Sequence, residues 1–321
     1  MSPSLTGALL SLAAYGVYAT HDVFVKTLGA HYAAFQIVFF VGLMSFPLIT
    51  LILMRDKTDG TLIPKHPRWA ILRGLSSVVS SAAGFYAFSQ LPMAQTYAIL
   101  FATPMLITLL SIPLLGEVVG WRRGVAVAVG MIGVLIVLRP GSAPLSLGHV
   151  AALLAACASA LSGIIVRKIG AKERSAVLML YPMMMQVAFM GMMMPWVYRP
   201  MALAHLGMVA LIAVLSVVGG LLLIAAYRAA VATVVAPMQY SQLIWAAFYG
   251  WLLFSESIDL WTALGAGVIV LSGLYIVLRE SHAKVSQNQP VTQNGGRLDA
   301  GPIVKPSKSA LRKPWRRRGK G

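Results

Sequence analysis

The chain has 321 residues, of which 58% are hydrophobic and only 11% charged, with a mean hydropathy of +0.78. Soluble domains carry about a quarter charged residues, so a water-soluble globular protein is excluded. The net charge of +17 invites nucleic acid as a partner, because Lys/Arg clusters bind phosphates. Its distribution argues for none: eleven Lys/Arg against Glu280 and Asp299 lie from Arg279 to Gly321, which puts +9 in the tail and leaves +8 for the hydrophobic body.

Apolar stretches of about 20 residues, each able to cross roughly 30 Å of hydrocarbon, recur from Leu5 to Leu278. The first, Leu5 to Thr27, lacks a basic leader and runs past the roughly 7–15 residues of a signal-peptide core, so it reads as a retained helix. Tyr15, Tyr18, Asp22 and Lys26 follow one another at spacings of 3, 4 and 4 and share a face, with His21 bordering it. An ionisable residue inside a span costs a few kcal/mol and faces a cavity or a partner. Asp22 is therefore placed to accept a proton or contact an amine, with Lys26 one turn further out and within pairing reach. The alternative is that both side chains snorkel to the outer interface.

Hydropathy, Gly/Pro punctuation and charge placement predict ten helices, over residues 5–27, 33–54, 68–89, 92–115, 120–138, 147–167, 176–197, 204–227, 231–254 and 260–278. Arg73 and Arg228 fall near one end of the third and eighth, either to attract an anionic substrate or to anchor the chain. In the fourth, Tyr97, Phe101, Pro104 and Thr108 share a face; in the ninth, Gln239, Gln242 and Trp245 lie near Pro237. Proline in a spanning helix permits a kink, which makes Pro104 and Pro237 structural candidates, while the aromatic and amide groups suit a planar or amphipathic metabolite. Glu117 and Glu256 sit just before the last helix of each half, where a carboxylate is expected to complement the helix N-terminus. Gly116, Gly120 and Gly124 recur every four residues, a spacing suited to close helix packing. Cys157 is the only cysteine, so neither an intrachain disulfide nor a cysteine metal cluster is available. The methionines at 183–185 and 192–194 read as lipid-facing filler.

Loop charges set the orientation. With the N-terminus inside, inner segments hold Arg55, Lys57, Lys65, Arg68, Arg122, Arg123, Arg167, Lys168, Lys172, Arg174 and Arg228, while outer connections hold only Lys26, Arg139 and Arg199. Both termini are thus expected in the cytoplasm. An internal repeat also emerges. Trp121 to Arg139 lies over Trp261 to Arg279 at an offset of 140, with seven of 19 positions identical. Leu114-Leu115-Gly116-Glu117 answers Leu253-Phe254-Ser255-Glu256 at an offset of 139. Five helices per half force the second half to enter the membrane inverted, an architecture of secondary transporters.

On these residues the chain resembles the drug/metabolite transporter superfamily, in its ten-helix form with two EamA domains. The resemblance covers roughly residues 5–280. It is carried by Glu117 and Glu256, by Leu91-Pro92-Met93-Ala94-Gln95 entering the fourth helix, by the glycine-rich fifth helices ending at Arg139 and Arg279, and by Tyr240-Ser241-Gln242-Leu243-Ile244-Trp245. It implies an all-α integral membrane protein of ten helices in two inverted five-helix repeats, residues 1–140 and 141–280, followed by a disordered basic cytoplasmic tail, 281–321. It further implies a carrier of the plasma membrane, most simply a bacterial inner membrane, whose central cavity admits an amino acid, nucleotide-like metabolite, vitamin or drug.

The expected function is alternating-access transport of a small organic metabolite. The expected partners are that solute and membrane lipids, with Asp22 and His21 carrying any proton coupling, and the chain working as a monomer or a homodimer. No cofactor or metal is expected. The rivals are a membrane enzyme acting on a lipid-linked substrate and a non-transporting receptor. The enzyme reading lacks a His/Asp metal site, a Ser/His/Asp set and a phosphate-binding glycine loop.

Overall fold

The computed structural model describes residues 3–54, 62–117, 119–140, 145–170, 173, 175–230 and 232–282; the tail expected to be disordered lies outside them. The described chain is helical throughout, in the order α1 (Pro3–Gly29), α2 (Ala34–Met54), α3 (Pro67–Gln90), α4 (Met93–Leu100), α5 (Thr103–Leu115), α6 (Trp121–Leu138), α7 (Leu147–Ile169), α8 (Ser175–Val197), α9 (Leu203–Ala229), α10 (Ala232–Val235), a 3₁₀ turn (Ala236–Tyr240), α11 (Ser241–Phe254) and α12 (Leu260–His282). Eight stretches, with Met93–Leu115 taken as one, are long and apolar enough to cross a membrane, and Leu260–Ile276 is a shorter apolar helix. With the ninth crossing, built from α10, the 3₁₀ turn and α11, the passes number ten. This is a multi-pass membrane protein.

The fourth and ninth passes are broken, and both breaks have a sequence cause. Pro104 has no N–H for the Leu100 carbonyl one turn back. The helix stops at Leu100, and the Thr103 hydroxyl donates to that carbonyl instead, at 2.7 Å. In the ninth pass Pro237 opens the 3₁₀ turn. The two breaks meet: Phe101 and Tyr240, 139 positions apart, pack edge to face with ring centroids at 5.2 Å.

Packing follows the duplication. The first pass lies along the eighth (α1 with α9) and the third along the sixth (α3 with α7), which is one contact seen from each half. The second meets the seventh (α2 with α8), and the fifth meets the tenth (α6 with α12). Turn geometry repeats as well. Gly116 and Ser255 close the fourth and ninth passes in the left-handed region at φ 70° and 54°, and the next amides reach back to matching carbonyls, Glu117 to Ser111 and Glu256 to Gly250.

Close backbone approach falls elsewhere than the sequence spacing suggested. A Cβ added at Gly120 or Gly124 meets nothing within 4 Å, whereas one at Gly133 would sit 2.9 Å from the Gly265 carbonyl and one at Gly265 would sit 2.6 Å from that of Gly133. Interior small residues thus let α6 and α12 touch. Gly265→Ala is expected to lower the melting temperature of the detergent-solubilised protein by several degrees through overpacking, about 1–3 kcal/mol. Gly124→Ala should leave it unchanged or slightly raised. Equal effects of the two would contradict the α6–α12 contact.

Candidate functional site

α1 starts at what is here called the near end of the bundle and finishes at the far end. Asp22 lies in its far half, 4% exposed although nothing about a carboxylate favours that burial. Its oxygens are held from two sides: His21 Nδ1 lies 2.7 Å from Oδ1, and the Tyr97 hydroxyl of α4 donates to Oδ2. Gln242 Nε2 of α11 in turn donates to the Tyr97 oxygen at 3.5 Å. Three passes, the first, fourth and ninth, are thereby joined by one polar chain. Its wall is aromatic. Phe85 stands edge-on to His21 at 6.1 Å, Phe88 edge-on to Tyr97 at 5.2 Å, and Phe101 lies 6.0 Å from Tyr97.

The structure gathers His21, Asp22, Tyr97, Phe101 and Gln242 into this cluster and places the other candidates elsewhere. Tyr15 and Tyr18 pack into the α1–α9 interface, with Leu223 and Ala226; the Tyr18 ring fills the space beside Gly219. Trp245 covers Gly16 and stacks on Tyr249 at 6.1 Å, whose hydroxyl lies 2.9 Å from Thr20 Oγ1. Gln239 is half-buried in the 3₁₀ turn, and Arg228 is exposed. Arg73 is fully buried between α3 and α8, where it bonds the Leu178 carbonyl. Phe85 and Phe88, part of the wall, carry no signal in the sequence beyond an apolar helix face.

Two expectations about charge are corrected. Lys26 is within reach of Asp22 by spacing, yet its ammonium goes to Glu256, 2.7 Å away, and to the Leu91 carbonyl at 2.6 Å. Glu256 does not serve the helix that follows it: its Oε2 accepts the Met93 amide at the start of α4, at 2.9 Å. The far ends of the first, third, fourth and ninth passes are clasped together in this way. Glu117 pairs with Arg167 at 2.6 Å, while Lys168 reaches the Leu114 carbonyl at 2.8 Å.

The two clasps are the same device at opposite ends. Lys26 and Arg167 are 141 positions apart, Glu117 and Glu256 are 139 apart. A second pair obeys the same offsets. At the far end Tyr32 is hydrogen-bonded to His205 at 2.7 Å; at the near end Glu173 contacts His66 Nδ1 at 3.0 Å and accepts the His66 and Lys65 amides at 2.6 and 3.1 Å. Burial pushes the Glu173 carboxyl up, but these donors and the charge of His66 together hold it below the ordinary glutamate value.

Interlocked inverted halves around a buried polar centre define a polytopic membrane carrier. The chain belongs to the EamA-like transporter family, whose model matches residues 5–139 and 146–279. Among relatives, it is 29% identical to an S-adenosylmethionine uptake transporter of Rickettsia bellii over 83% of this chain and 91% of that one. It is 27% identical to the pseudopaline exporter CntI of Pseudomonas aeruginosa over 83% and 94%, and 27% identical to a riboflavin transporter of Vibrio cholerae over 75% and 83%. A solved crystal structure at 15% identity superposes with a TM-score of 0.58, covering 86% of this chain and 98% of its own, and supports the fold. The protein is a transporter of small metabolites.

Because the folded-state value of Glu173 lies below the unfolded one, its stabilisation is present above the unfolded carboxylate range and is lost as pH falls through the folded value. The melting temperature of the solubilised protein should therefore decline as pH drops below about 4.3, the ordinary glutamate value. Glu173→Gln should flatten that decline; an acid limb identical to wild type would remove Glu173 as its source.

Proposed function

We propose that the chain carries a small organic metabolite with a cationic group by alternating access, and that Asp22 receives the cation. The observation that carries this reading is the buried chain Asp22–Tyr97–Gln242, which ties three passes together where the two broken helices meet. A buried carboxylate is held there by hydrogen bonds, an arrangement that costs several kcal/mol in hydrocarbon without a function to retain it. S-adenosylmethionine, named for the Rickettsia relatives, carries a sulfonium and an ammonium and suits such a site; riboflavin, a neutral ring system, would rely on the aromatic wall.

The halves 1–140 and 141–280 are taken as the two moving units. The Lys26–Glu256 clasp closes the far end and the Arg167–Glu117 clasp the near end, so that one opens while the other holds. The chain acts without catalysis, in a bacterial inner membrane, with both termini cytoplasmic and the far end outside. His21 and Asp22 would carry a coupling proton, and a single duplicated chain holds both halves of the site, so it can work as a monomer.

Binding of S-adenosylmethionine to the purified protein, followed by thermal shift and by counterflow in proteoliposomes, tests the site. Asp22→Asn keeps the shape of the side chain and is expected to weaken binding at least tenfold, ~1.4 kcal/mol. Tyr15→Phe keeps the ring that packs with Leu223 and Ala226 at the α9 interface and should leave binding within about twofold. Undiminished binding by Asp22→Asn would sink the assignment, and undiminished accumulation under an imposed pH gradient would remove Asp22 from coupling.

A further inference from the structure

Arg73 is fully buried, and its surroundings account for only part of its guanidinium. The Leu178 carbonyl in α8 would ordinarily accept the amide of residue 182, but that residue is Pro182, which has no N–H. Arg73 Nη1 donates to this carbonyl. The other two nitrogens, Nε and Nη2, are buried and have no hydrogen-bond partner. They form a single edge of the guanidinium, the edge that makes two parallel bonds to a carboxylate.

Capping a proline-freed carbonyl requires one donor and no charge. A neutral side chain would do it, whereas an unpaired buried guanidinium is strongly unfavourable. No acidic residue pairs with Arg73 among the described residues. The same face of α3 continues as Ser77, Ser80 and Ser81, and each of these is matched inside the protein: Ser77 with Ser162 at 3.3 Å, Ser80 with the Ala155 carbonyl at 3.1 Å and Ser81 with Gln186 at 3.1 Å. The unmatched donors of this polar ladder are those of Arg73, at its near-end limit.

We propose that the Nε–Nη2 edge of Arg73 is an anion subsite for the carboxylate of the transported solute on the near-end half of its path, which makes the solute a zwitterion. This deepens the reading of Asp22 as the cation site and rests on it for the solute's other charge. Arg73 and Asp22 lie several helical turns apart along the bundle, so the subsite is a separate station.

The test uses acetate as the probe, on the full-length protein in detergent, with chloride at equal ionic strength as the reference. Wild type should show a saturable rise in melting temperature with acetate. Arg73→Gln, which keeps a donor for Leu178, and Arg73→Lys, which keeps the charge as well, should both lose it, because neither offers the two-bond edge. Asp22→Asn should retain it. Should Arg73→Gln fail to fold, Arg73→Lys carries the comparison. A wild type that acetate leaves unshifted, or an acetate shift that survives in the Arg73 variants, overturns the subsite.

A second arm compares S-adenosylmethionine with its decarboxylated analogue. Wild type should prefer the former by about tenfold or more and Arg73→Lys by less than about threefold, since a site built for a polar group rejects ligands lacking it. If the acetate effect holds while Asp22→Asn still binds cations normally, the Asp22 reading falls and the Arg73 subsite stands.

Discussion

In hydrocarbon there is no water to receive an unpaired backbone group, so every carbonyl the chain frees must be answered from within. That constraint organises this protein at the points where proline interrupts a pass. Pro104 frees the Leu100 carbonyl, which Thr103 takes; Pro182 frees the Leu178 carbonyl, which Arg73 takes. In the first case the answer is local and neutral, and the helix is interrupted between Leu100 and Thr103. In the second it comes from another pass and brings a charge with it. Polar side chains in the interior are therefore tied to the breaks that make a membrane bundle able to change shape.

The frame is symmetric but the site is not. Clasps and left-handed turns recur in both halves at offsets of 139 to 141, and Phe101 and Tyr240, which are equivalent positions, meet each other. At the same offsets, Asp22 corresponds to Gly163, Tyr97 to Ala236 and Gln242 to Thr103. Duplication supplied two equivalent scaffolds; the polar cluster takes Asp22 and Tyr97 from one and Gln242 from the other, and the equivalent positions carry different groups. Symmetry is what lets two conformations of opposite sidedness have similar energies, whereas binding a particular solute requires groups that differ between the halves.

Much of the fold could be read from the chain because membrane passes announce themselves by length and apolarity, and because the repeat between Trp121–Arg139 and Trp261–Arg279 implies inversion by counting alone. The breaks in the fourth and ninth passes were signalled by Pro104 and Pro237, though not their meeting at Phe101 and Tyr240. Charge partners were less legible. A helix-face argument sees only neighbours on the same helix, so it offered Lys26 to Asp22 and offered Glu256 to the helix that follows. The partners actually chosen lie 230 and 163 positions away, in Glu256 for Lys26 and Met93 for Glu256. The same limitation hid the division of the α1 stripe: Tyr15 and Tyr18 share a face with Asp22, yet they pack with Leu223 and Ala226 of α9, while Asp22 is held by His21 on its own helix and by Tyr97 on α4.

The clasps also bear on how much energy a solute must supply. Both are closed in this structure, with side chains of 12% and 18% exposure at the far end and 9% and 20% at the near end. Pairs this accessible are worth a few kcal/mol at most, since screening and desolvation offset much of their attraction. Reversing a two-state preference from 1:99 to 99:1 takes about 5.5 kcal/mol of differential binding, so opening one clasp lies within reach of a solute that binds the buried centre well. Partly exposed pairs backed by backbone bonds, Lys26 to Leu91 and Phe88 at one end and Lys168 to Leu114 at the other, suit the proposed gates, which must close without closing permanently.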